Sequence, residues 1–526
     1  MTLVGCAAGS ATPETKSAET VLRSPGGGGL VKSITWNMGS GEPATLDPPN
    51  VPTYSAMAVV SNLCDSLMSV DETGTVVPGL ANVTQETPTR LVFTLRGQAT
   101  FWDGTPLTTD DVVYSLQHAA APTSFLAPTF AKVTNIAAIS NTQVALDFSA
   151  PDAAFLPTMA GPGGAVIERA FGEKAGAAIG TPSGGLMCSG PFKLDKWNAG
   201  TDIRLVKNEA YWDKERQAHV SSVRLTFVTD TSALTQALTT GEIDGGWEIP
   251  ATAIPALKSA TTGSIFYGET TSVWSLRVAN PSSPLAKNAD LRQALQHMID
   301  RTAISEAVFH GAARPWSTAI SPNSWPVAAR DATNTDYKKI AGQRTYDLEL
   351  ARKLVDKSGA KGTTLELIVA SGDDTASQLA QLVQAQMAKV GLTVKLRALQ
   401  PIQYAQAMYD PAVRGSSDLM LSIGGDVVQE PLTSIRYYFL PDGLYNWDGF
   451  NDPEVATLYG QAITELDLSK RTSLTLQIQA LFEARAATVA IVNPYQVNFV
   501  NKRLGGVITS SVVATMPSLT YIGAGK

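Results

Sequence analysis

Residues 93–115 read FTLRGQATFWDGTPLTTDDVVYS, and this stretch carries most of the information about the fold. The apolar run at 91–95 predicts a β-strand, and the Asp-Gly-Thr-Pro at 103–106 predicts a tight turn. Thr108 is followed three positions later by Asp111, which is the spacing of a capping box at the start of a helix. The stretch therefore predicts a strand, a turn and a capped helix in immediate succession.

The same alternation of strands and amphipathic helices continues toward the C-terminus. Apolar residues recur at helical spacing within 291–299 and 379–387, and residues 392–396 alternate as a strand does. Asp452 followed by Pro453 has the pattern of an N-cap with proline in the first helical turn. Strands separated by helices of this length favour mixed α/β lobes.

Length and charge narrow the class of protein. The chain has 526 residues, which at about 150 residues per domain favours two to four domains. The net charge is −7, and only 17% of the residues are charged. This balance excludes a basic nucleic-acid-binding surface and a disordered acidic tail. Outside the N-terminal region no apolar run approaches the ~18 residues of a membrane span, so we expect a soluble, mildly acidic, globular body.

Taken together and in order, the motifs resemble family 5 of the extracytoplasmic solute-binding proteins of ABC importers, the oligopeptide- and dipeptide-binding class. Besides residues 93–115, the matching stretches are SGPFKL at 189–194, NEAYW at 208–212, GEID at 241–244, LRQAL at 291–295 and IDR at 299–301. Most of these are turns, caps and strand ends, which mark a fold and not a ligand contact. The resemblance runs from about residue 35 to the C-terminus. It implies an α/β, two-lobed periplasmic-binding-protein-like fold of type II with an inserted subdomain.

Mapped onto this sequence, the resemblance implies four segments. They are a lipoprotein leader remnant and flexible tether at 1–30; a first lobe at 31–62, 185–275 and 487–526; an inserted subdomain at 63–184; and a second lobe at 276–486. Proteins of this fold enclose their ligand between the lobes by hinge closure. No covalent chemistry is implied.

The N-terminus contains a candidate lipid anchor. Cys6 follows Leu-Val-Gly, which resembles a bacterial lipobox, although only five residues precede the cysteine where a signal peptide has a basic and an apolar region. A cysteine without a role is the alternative. Residues 7–29 are rich in Ala, Ser, Thr and Pro and end in four glycines, a composition typical of flexible tethers. We therefore expect a lipid on Cys6 and a body tethered above a membrane.

The two remaining cysteines are Cys64 and Cys188. Three cysteines are too few for a disulfide scaffold and lack the spacing of a zinc site. In an exported protein Cys64 and Cys188 could pair. Two buried free thiols are the commoner finding and are the expectation here.

No catalytic or metal-binding motif stands out. The four histidines, at 118, 219, 297 and 310, are far apart in sequence, so we expect no metal and no cofactor. Ser358 and Lys361 match the S-x-x-K motif of penicillin-binding-type hydrolases. They lie at the glycine-containing end of a helix without the companion motifs, which favours a helix cap. We expect a protein that is not an enzyme, and the hydrolase remains the alternative from another class.

The strongest candidate for ligand recognition is a loop at 424–431, which reads GGDVVQEP. In peptide-binding members of the family an aspartate in such a loop pairs with the peptide α-amine, and Asp426 is the matching residue. It lies five positions before Pro431, one more than the usual spacing, and Val427 replaces the usual aromatic. Gly424 and Gly425 would allow strand-like hydrogen bonds to a ligand backbone. A solvated loop aspartate and a simple turn are the alternatives.

Four further residues are candidates for ligand contact. Arg414 is a candidate partner for a ligand carboxylate, because its guanidinium binds carboxylates through two hydrogen bonds. Phe125 resembles an aromatic of the family's subdomain that covers the ligand. Trp274 and Trp36 lie near the predicted hinge and cleft edges. A surface role for the arginine and core packing for the aromatics are the alternatives.

The resemblance implies a monomeric, extracytoplasmic substrate-binding lipoprotein, anchored to the outer face of the cell membrane or periplasmic. It would capture peptides between its lobes and deliver them to an ABC permease and ATPase complex. Three alternatives remain open: the same fold with a nickel chelate, haem, an opine or an oligosaccharide as ligand; a sensor that passes closure to a membrane partner; and the hydrolase.

Overall fold

A computed structural model describes residues 18–525, and most of the strands belong to three sheets. The first-lobe sheet has the spatial order Gly263–Gly268, Gln496–Asn501, Gly245–Gly246, Val31–Asn37, Val220–Thr226, Asp202–Lys207 and Phe192–Asn198. The second-lobe sheet has the order Ala313–Pro315, Thr488–Pro494, Val273–Val278, Leu419–Gly424, Thr364–Ala370 and Thr393–Leu399. The subdomain sheet has the order Ala81–Thr87, Arg90–Leu95, Gln143–Phe148 and Val133–Ala138. Two short pairs join Met68–Val70 to Val76–Pro78 and Leu504–Gly505 to Gly523–Ala524.

Helices cover the sheets and fill the connections between their strands. Their bounds are Tyr54–Leu63, Thr109–Ala120, Phe155–Thr158, Arg169–Ala175, Thr231–Thr240, Ile254–Lys258, Pro284–Lys287, Ala289–Met298, Arg301–Ala307, Arg330–Gly342, Leu348–Ser358, Asp374–Ala388, Pro401–Tyr409, Pro411–Arg414, Pro431–Tyr438, Pro453–Thr464 and Leu468–Arg485. None of these helices, within residues 18–525, has the length and apolar character needed to cross a membrane.

Residues 93–115 fold as their sequence predicts. Arg90–Leu95 is a strand, and the Asp103 side chain accepts a hydrogen bond from the backbone two residues on, which closes the turn. The helix Thr109–Ala120 then begins after Thr108, whose N–H donates to the Asp111 carboxylate at 2.9 Å. This is the capping-box contact, and it satisfies a backbone donor that the helix itself leaves unpaired.

Two chain crossings connect the two large sheets, at residues 269–272 and at Tyr495. The strands on either side of each crossing lie in different sheets. The crossings are tied together, since the Thr270 hydroxyl donates to Pro494 O at 2.6 Å and the Asn493 amide donates to Ser272 O at 2.8 Å. The predicted boundaries at 275/276 and 486/487 therefore miss the crossings by several residues, because a sequence pattern shows that a strand exists but not which sheet it joins. We propose the crossings as the boundaries between the lobes, with the remaining predicted segments unchanged.

The described residues before the first strand form an N-terminal strap, residues 18–29, that packs against the folded body. The Val21 N–H donates to Tyr267 O at 2.9 Å, and the Ser24 N–H donates to Val507 O at 2.8 Å. A Cβ on Gly27 would lie 2.6 Å from the Gly506 Cα, so the two backbones touch here. The prediction of a flexible tether is therefore wrong for residues 18–29, because composition does not reveal partners nearly 500 residues away. Cys6, the predicted lipidation site, lies outside the described residues.

Cys64 and Cys188 form a disulfide. It joins the C-terminal end of the helix Tyr54–Leu63 to the segment just before the strand Phe192–Asn198. Both cysteines are buried. The expectation of two free thiols is therefore wrong, and the pairing closes a loop of 124 residues around the inserted subdomain.

Candidate functional site

A cavity of about 570 Å³ lies between the two lobes, and we call it the main cavity. One wall comes from the segment 48–57 and from Phe125 in the subdomain. The opposite wall comes from the second lobe, from residues 423–428 and from a set of tyrosines at 409, 437, 438 and 445. Small-molecule sites in proteins typically enclose about 300–1,000 Å³, so the volume suits a ligand of a few amino-acid residues.

Asp426 lies in the wall of the main cavity and is 4% exposed. Its Oδ1 accepts hydrogen bonds from the Ser434 N–H at 3.0 Å, from the Ser434 hydroxyl at 2.6 Å and from the Thr433 hydroxyl. Its Oδ2 has no hydrogen-bond partner among residues 18–525. One oxygen of the buried carboxylate is thus held by three hydrogen bonds, while the other has capacity for a further donor.

Next to Asp426 lies a small polar pocket of about 20 Å³ that shares residues 424–426 with the main cavity. The pocket is also lined by Ser324 and Arg277. The Ser324 hydroxyl has no hydrogen-bond partner within the described part of the chain. A space of this size holds one water molecule, or a group of the size of an ammonium.

Burial raises the pKa of Asp426, and the nearby hydroxyls of Ser324, Ser434 and Thr433 oppose this shift by favouring the ionised form. Taking a carboxylate out of water disfavours its charge unless a cation or enough hydrogen bonds replace the lost hydration. A cationic ligand group beside Oδ2 would restore the ionised state.

Gly424 and Gly425 line the main cavity. In the structure, packing within the protein explains why these positions are glycine, and close approach of a ligand is not needed to explain it. A Cβ on Gly424 would lie 2.4 Å from the Tyr438 hydroxyl, and a Cβ on Gly425 would lie 2.4 Å from Thr271 O. Position 425 therefore requires glycine because the main chain packs against it, and a side chain at position 424 would displace the Tyr438 hydroxyl. Their backbone remains available for the strand-like contact predicted from the sequence.

The strand that ends at Gly424 is only partly covered along one edge. It pairs with Val273–Val278 along its whole length, whereas its pairing with Thr364–Ala370 stops after Met420. Residues 421–424 thus have an edge without a neighbouring strand, and Ile423 and Gly424 line the main cavity. Such an edge pairs readily with an extended backbone.

The four other predicted contacts divide into two pairs. Phe125 lines the main cavity and is 49% exposed, and Trp274 lines an adjoining cavity of about 510 Å³ that shares Tyr54 and Ile423 with the main one. Phe125 is therefore accessible from the main cavity, whereas Trp274 is only 6% exposed and packs in the core, so ligand contact by Trp274 stays a prediction.

Trp36 and Arg414 line none of the cavities described here, and the prediction of ligand contact is wrong for both. Trp36 is fully buried in the first-lobe core, with its ring 5.4 Å from that of Trp247. The buried Arg414 guanidinium donates to Ala279 O at 3.0 Å and to Ala407 O at 2.7 Å, and it stacks over Trp447. It thus binds backbone carbonyls in place of a ligand carboxylate. Burial of this kind is set by tertiary packing, which no local pattern reveals.

One wall of the main cavity was not predicted from the sequence: the tyrosine wall, which we define as Tyr409, Tyr437, Tyr438 and Tyr445. The ring of Tyr445 lies 6.0, 5.9 and 5.0 Å from the rings of the other three. Arg277 stacks behind the wall, 4.0 Å from the ring of Tyr438. The signal in the sequence was a tyrosine pair at 437–438 within a tyrosine-rich segment, but only the fold brings Tyr409 to it.

The alternative catalytic motif is a helix cap. The Ser358 hydroxyl donates to Val355 O at 2.7 Å at the end of the helix Leu348–Ser358, and Gly359 has a left-handed backbone. Lys361 is exposed and pairs with Asp356 at 3.3 Å. Within residues 18–525, no group of three or more His, Cys, Asp or Glu side chains is arranged to hold a metal ion.

Glu430, at the end of the Asp426 loop, is also buried. Burial raises its pKa to about 7, and Arg471, whose Nε lies 3.4 Å from Oε2 without hydrogen-bond geometry, opposes the shift. The pKa of Glu430 in the folded state exceeds the ordinary value of 4.5. Protonation of Glu430 therefore makes its full contribution to the unfolding free energy below about pH 4.5. That stabilisation is lost as the pH rises through about 7.

We expect Glu430→Gln to remove this pH dependence, because an amide does not ionise. Between pH 5 and 8 the wild type should lose on the order of 3 kcal/mol of unfolding free energy relative to the variant. Urea unfolding of both proteins at pH 5, 6, 7 and 8 measures the difference. A difference that stays constant over this range would contradict the prediction.

Comparison with known proteins agrees with this architecture. The family model described as "Bacterial extracellular solute-binding proteins, family 5 Middle" matches residues 75–446. The "Probable D,D-dipeptide-binding periplasmic protein DdpA" of Escherichia coli K12 is 27% identical over 425 residues, covering 79% of this chain and 78% of its own length.

Two solved structures resemble the whole molecule. The periplasmic binding protein DppA from Helicobacter pylori, in complex with the peptide STSA, superposes with a TM-score of 0.80 at 18% identity, covering 94% of this chain and 99% of its own. The binding protein AgaA from A. tumefaciens R10, in complex with agropinic acid, superposes with a TM-score of 0.77 at 22% identity, covering 94% and 99%. The predicted two-lobed α/β fold is therefore confirmed.

Proposed function

Because the chain belongs to family 5 of the bacterial extracellular solute-binding proteins, we propose that it binds a peptide in the main cavity and delivers it to an ABC importer. The observation that carries the proposal is the free Oδ2 of the buried Asp426. A peptide α-ammonium is the simplest ligand group that would pair with it, through a charge-assisted hydrogen bond. The similarity to DdpA, a probable D,D-dipeptide-binding protein, and to DppA, solved in complex with the peptide STSA, supports the choice.

Backbone recognition would supply the rest of the affinity. Ile423 and Gly424, at the uncovered end of this strand edge, would offer main-chain groups to an extended peptide, whereas Leu421 O already accepts from the Tyr404 hydroxyl at 2.8 Å. Hydrogen bonds of this kind hold a peptide independently of its sequence, and specificity then depends on the spaces offered to the side chains.

We propose that the lobes open and close about the crossings at 269–272 and 495. Hydrogen bonds already cross the cleft, from the Tyr54 hydroxyl to Asp426 O at 3.2 Å and from the Thr231 hydroxyl to the Asp374 carboxylate at 3.2 Å. The closed form would be recognised by the permease and ATPase complex. The protein would act as a monomer without catalytic activity, at the outer face of the cell membrane, held there by a lipid on Cys6.

A non-peptide solute is the second candidate. The extra residue between Asp426 and Pro431, and Val427 in place of an aromatic, are departures that favour a different amine-containing ligand. The similarity to AgaA, whose structure was solved in complex with agropinic acid, supports an opine as the first such ligand to test.

Thermal shift and calorimetry with matched peptides test the proposal. We expect free-amine di- to pentapeptides to raise the melting temperature, and the N-acetylated forms of the same peptides to bind at least tenfold more weakly, because acetylation removes the charge that Asp426 pairs with. Stabilisation by agropinic acid or another opine and by no peptide would overturn the peptide assignment.

A further inference from the structure

We propose that the peptide bound in the main cavity carries aromatic or large apolar side chains on its first residues. This inference rests on the peptide proposal above and adds the class of side chain. Fifteen large apolar or aromatic side chains are exposed among residues 18–525, and five of them line this one cavity: Phe125, Tyr409, Ile423, Val427 and Leu444. An apolar surface gathered in one cleft marks the place where an apolar partner is bound.

The two walls face each other as apolar surfaces. On one side stand Pro48, Pro49 and Pro52 together with Phe125, whose N–H is fixed by the Asn50 side chain at 3.1 Å. On the other side stands the tyrosine wall, which Arg277 stiffens from behind. Rings and prolines lose little conformational freedom when a ligand packs on them, so apolar contact here is gained at low entropic cost.

The charged residues that line the main cavity are too few to favour charged side chains on the ligand. Asp426 is the one acidic residue that lines it, and no Lys, Arg or His lines it within the described residues. A charged ligand side chain placed among the tyrosines would lose hydration and would find only neutral hydroxyls in exchange, so this part of the cavity favours uncharged side chains. The cavity therefore matches one ammonium next to apolar bulk, which is the chemistry of a peptide N-terminus followed by apolar side chains.

Calorimetry with two tripeptides that have free N-termini tests the inference: phenylalanyl-leucyl-alanine and seryl-glutaminyl-alanine. The protein is the disulfide-intact chain, freed of co-purified ligand. We expect the first peptide to bind at least tenfold more tightly than the second. The variant Phe125→Ser should reduce this ratio at least threefold, and it should fold, since Phe125 is half exposed. The variant Leu350→Ser removes an exposed leucine outside the cavity and should leave the ratio unchanged.

The outcomes separate the two proposals. Equal affinity for the two peptides would overturn the side-chain inference and leave the peptide proposal standing. A preference for phenylalanyl-leucyl-alanine that Phe125→Ser does not alter would place the selectivity outside the main cavity and also overturn the inference. Binding of neither peptide would overturn both proposals.

Discussion

Asp426→Asn should weaken the binding of a free-amine peptide by about a hundredfold, because it leaves the ligand ammonium buried beside a neutral amide. Truncating one partner of a buried charged hydrogen bond typically costs about 2–5 kcal/mol, and a hundredfold change corresponds to roughly 2.7 kcal/mol. Asparagine has nearly the shape of aspartate, and its Oδ1 can still accept from Ser434 and Thr433. The loop should therefore keep its conformation.

Calorimetry on the wild type and the variant measures this effect, and Asp110→Asn serves as the matched control. Asp110 has an exposed side chain that reaches only Arg169, at 3.5 Å, so its change should leave the affinity as it is. The N-acetylated peptide provides a second control, since it should bind both proteins with similar weak affinity. Unchanged affinity of Asp426→Asn for the free-amine peptide would show that Asp426 does not bind the amine.

The same substitution should not destabilise the ligand-free protein at neutral pH. Burial raises the pKa of Asp426 in the folded state, so its proton stabilises the fold below the ordinary pKa of 3.8 and this contribution is lost as the pH rises through the raised value. At pH 7 the wild type carries the cost of a buried charge, and the asparagine does not. A lower melting temperature of Asp426→Asn at pH 7 would contradict this account.

Reducing the Cys64–Cys188 disulfide should lower the unfolding free energy by about 4–5 kcal/mol. In the chain-entropy description, a crosslink stabilises by restricting the unfolded chain, and the loss grows with the length of the loop, here 124 residues. The disulfide ties together the two ends of the inserted subdomain, where the chain leaves and re-enters the first lobe. Without the crosslink, these ends would still be held by the main chain, by packing and by hydrogen bonds such as that from the Gly190 N–H to Leu63 O at 2.9 Å.

Urea unfolding with and without reductant measures the contribution of the disulfide. The double variant Cys64→Ala/Cys188→Ala should behave as the reduced wild type does, apart from a small loss of packing, and reductant should not affect it. Cys6→Ala is the control, since Cys6 takes no part in the crosslink. Coincident unfolding curves of the oxidised and reduced wild type would contradict the prediction.

The parts of the fold that local sequence determines were predictable from it. The capping box at Thr108 and Asp111 and the cap at Ser358 depend on residues a few positions apart, and both form as expected. The partners of the N-terminal strap are hundreds of residues away, and the disulfide joins cysteines 124 residues apart. Amino-acid composition and local residue spacing do not reveal contacts between residues so far apart in the sequence.

The candidate site was predictable in part for the same reason. Asp426, Gly424, Gly425 and Phe125 line the main cavity, and they were selected by the resemblance of their segments to the family's loop and subdomain aromatic. Trp36 and Arg414 were selected by residue type, and their burial depends on neighbours that only the folded chain supplies. The tyrosine wall was missed because Tyr409 meets Tyr445 across 36 positions of sequence.

Docking of the N-terminal strap also shortens the linker between the proposed lipid anchor on Cys6 and the folded body. If the whole segment 7–29 were free, its 23 residues would extend up to roughly 80 Å, at about 3.5 Å per residue. Docking of residues 18–29 leaves eleven residues between Cys6 and Ala18, which span at most roughly 40 Å. If Cys6 carries the proposed lipid, a linker half as long would confine the protein to a thinner layer above the membrane. Its effective concentration at a permease in the same membrane would rise accordingly.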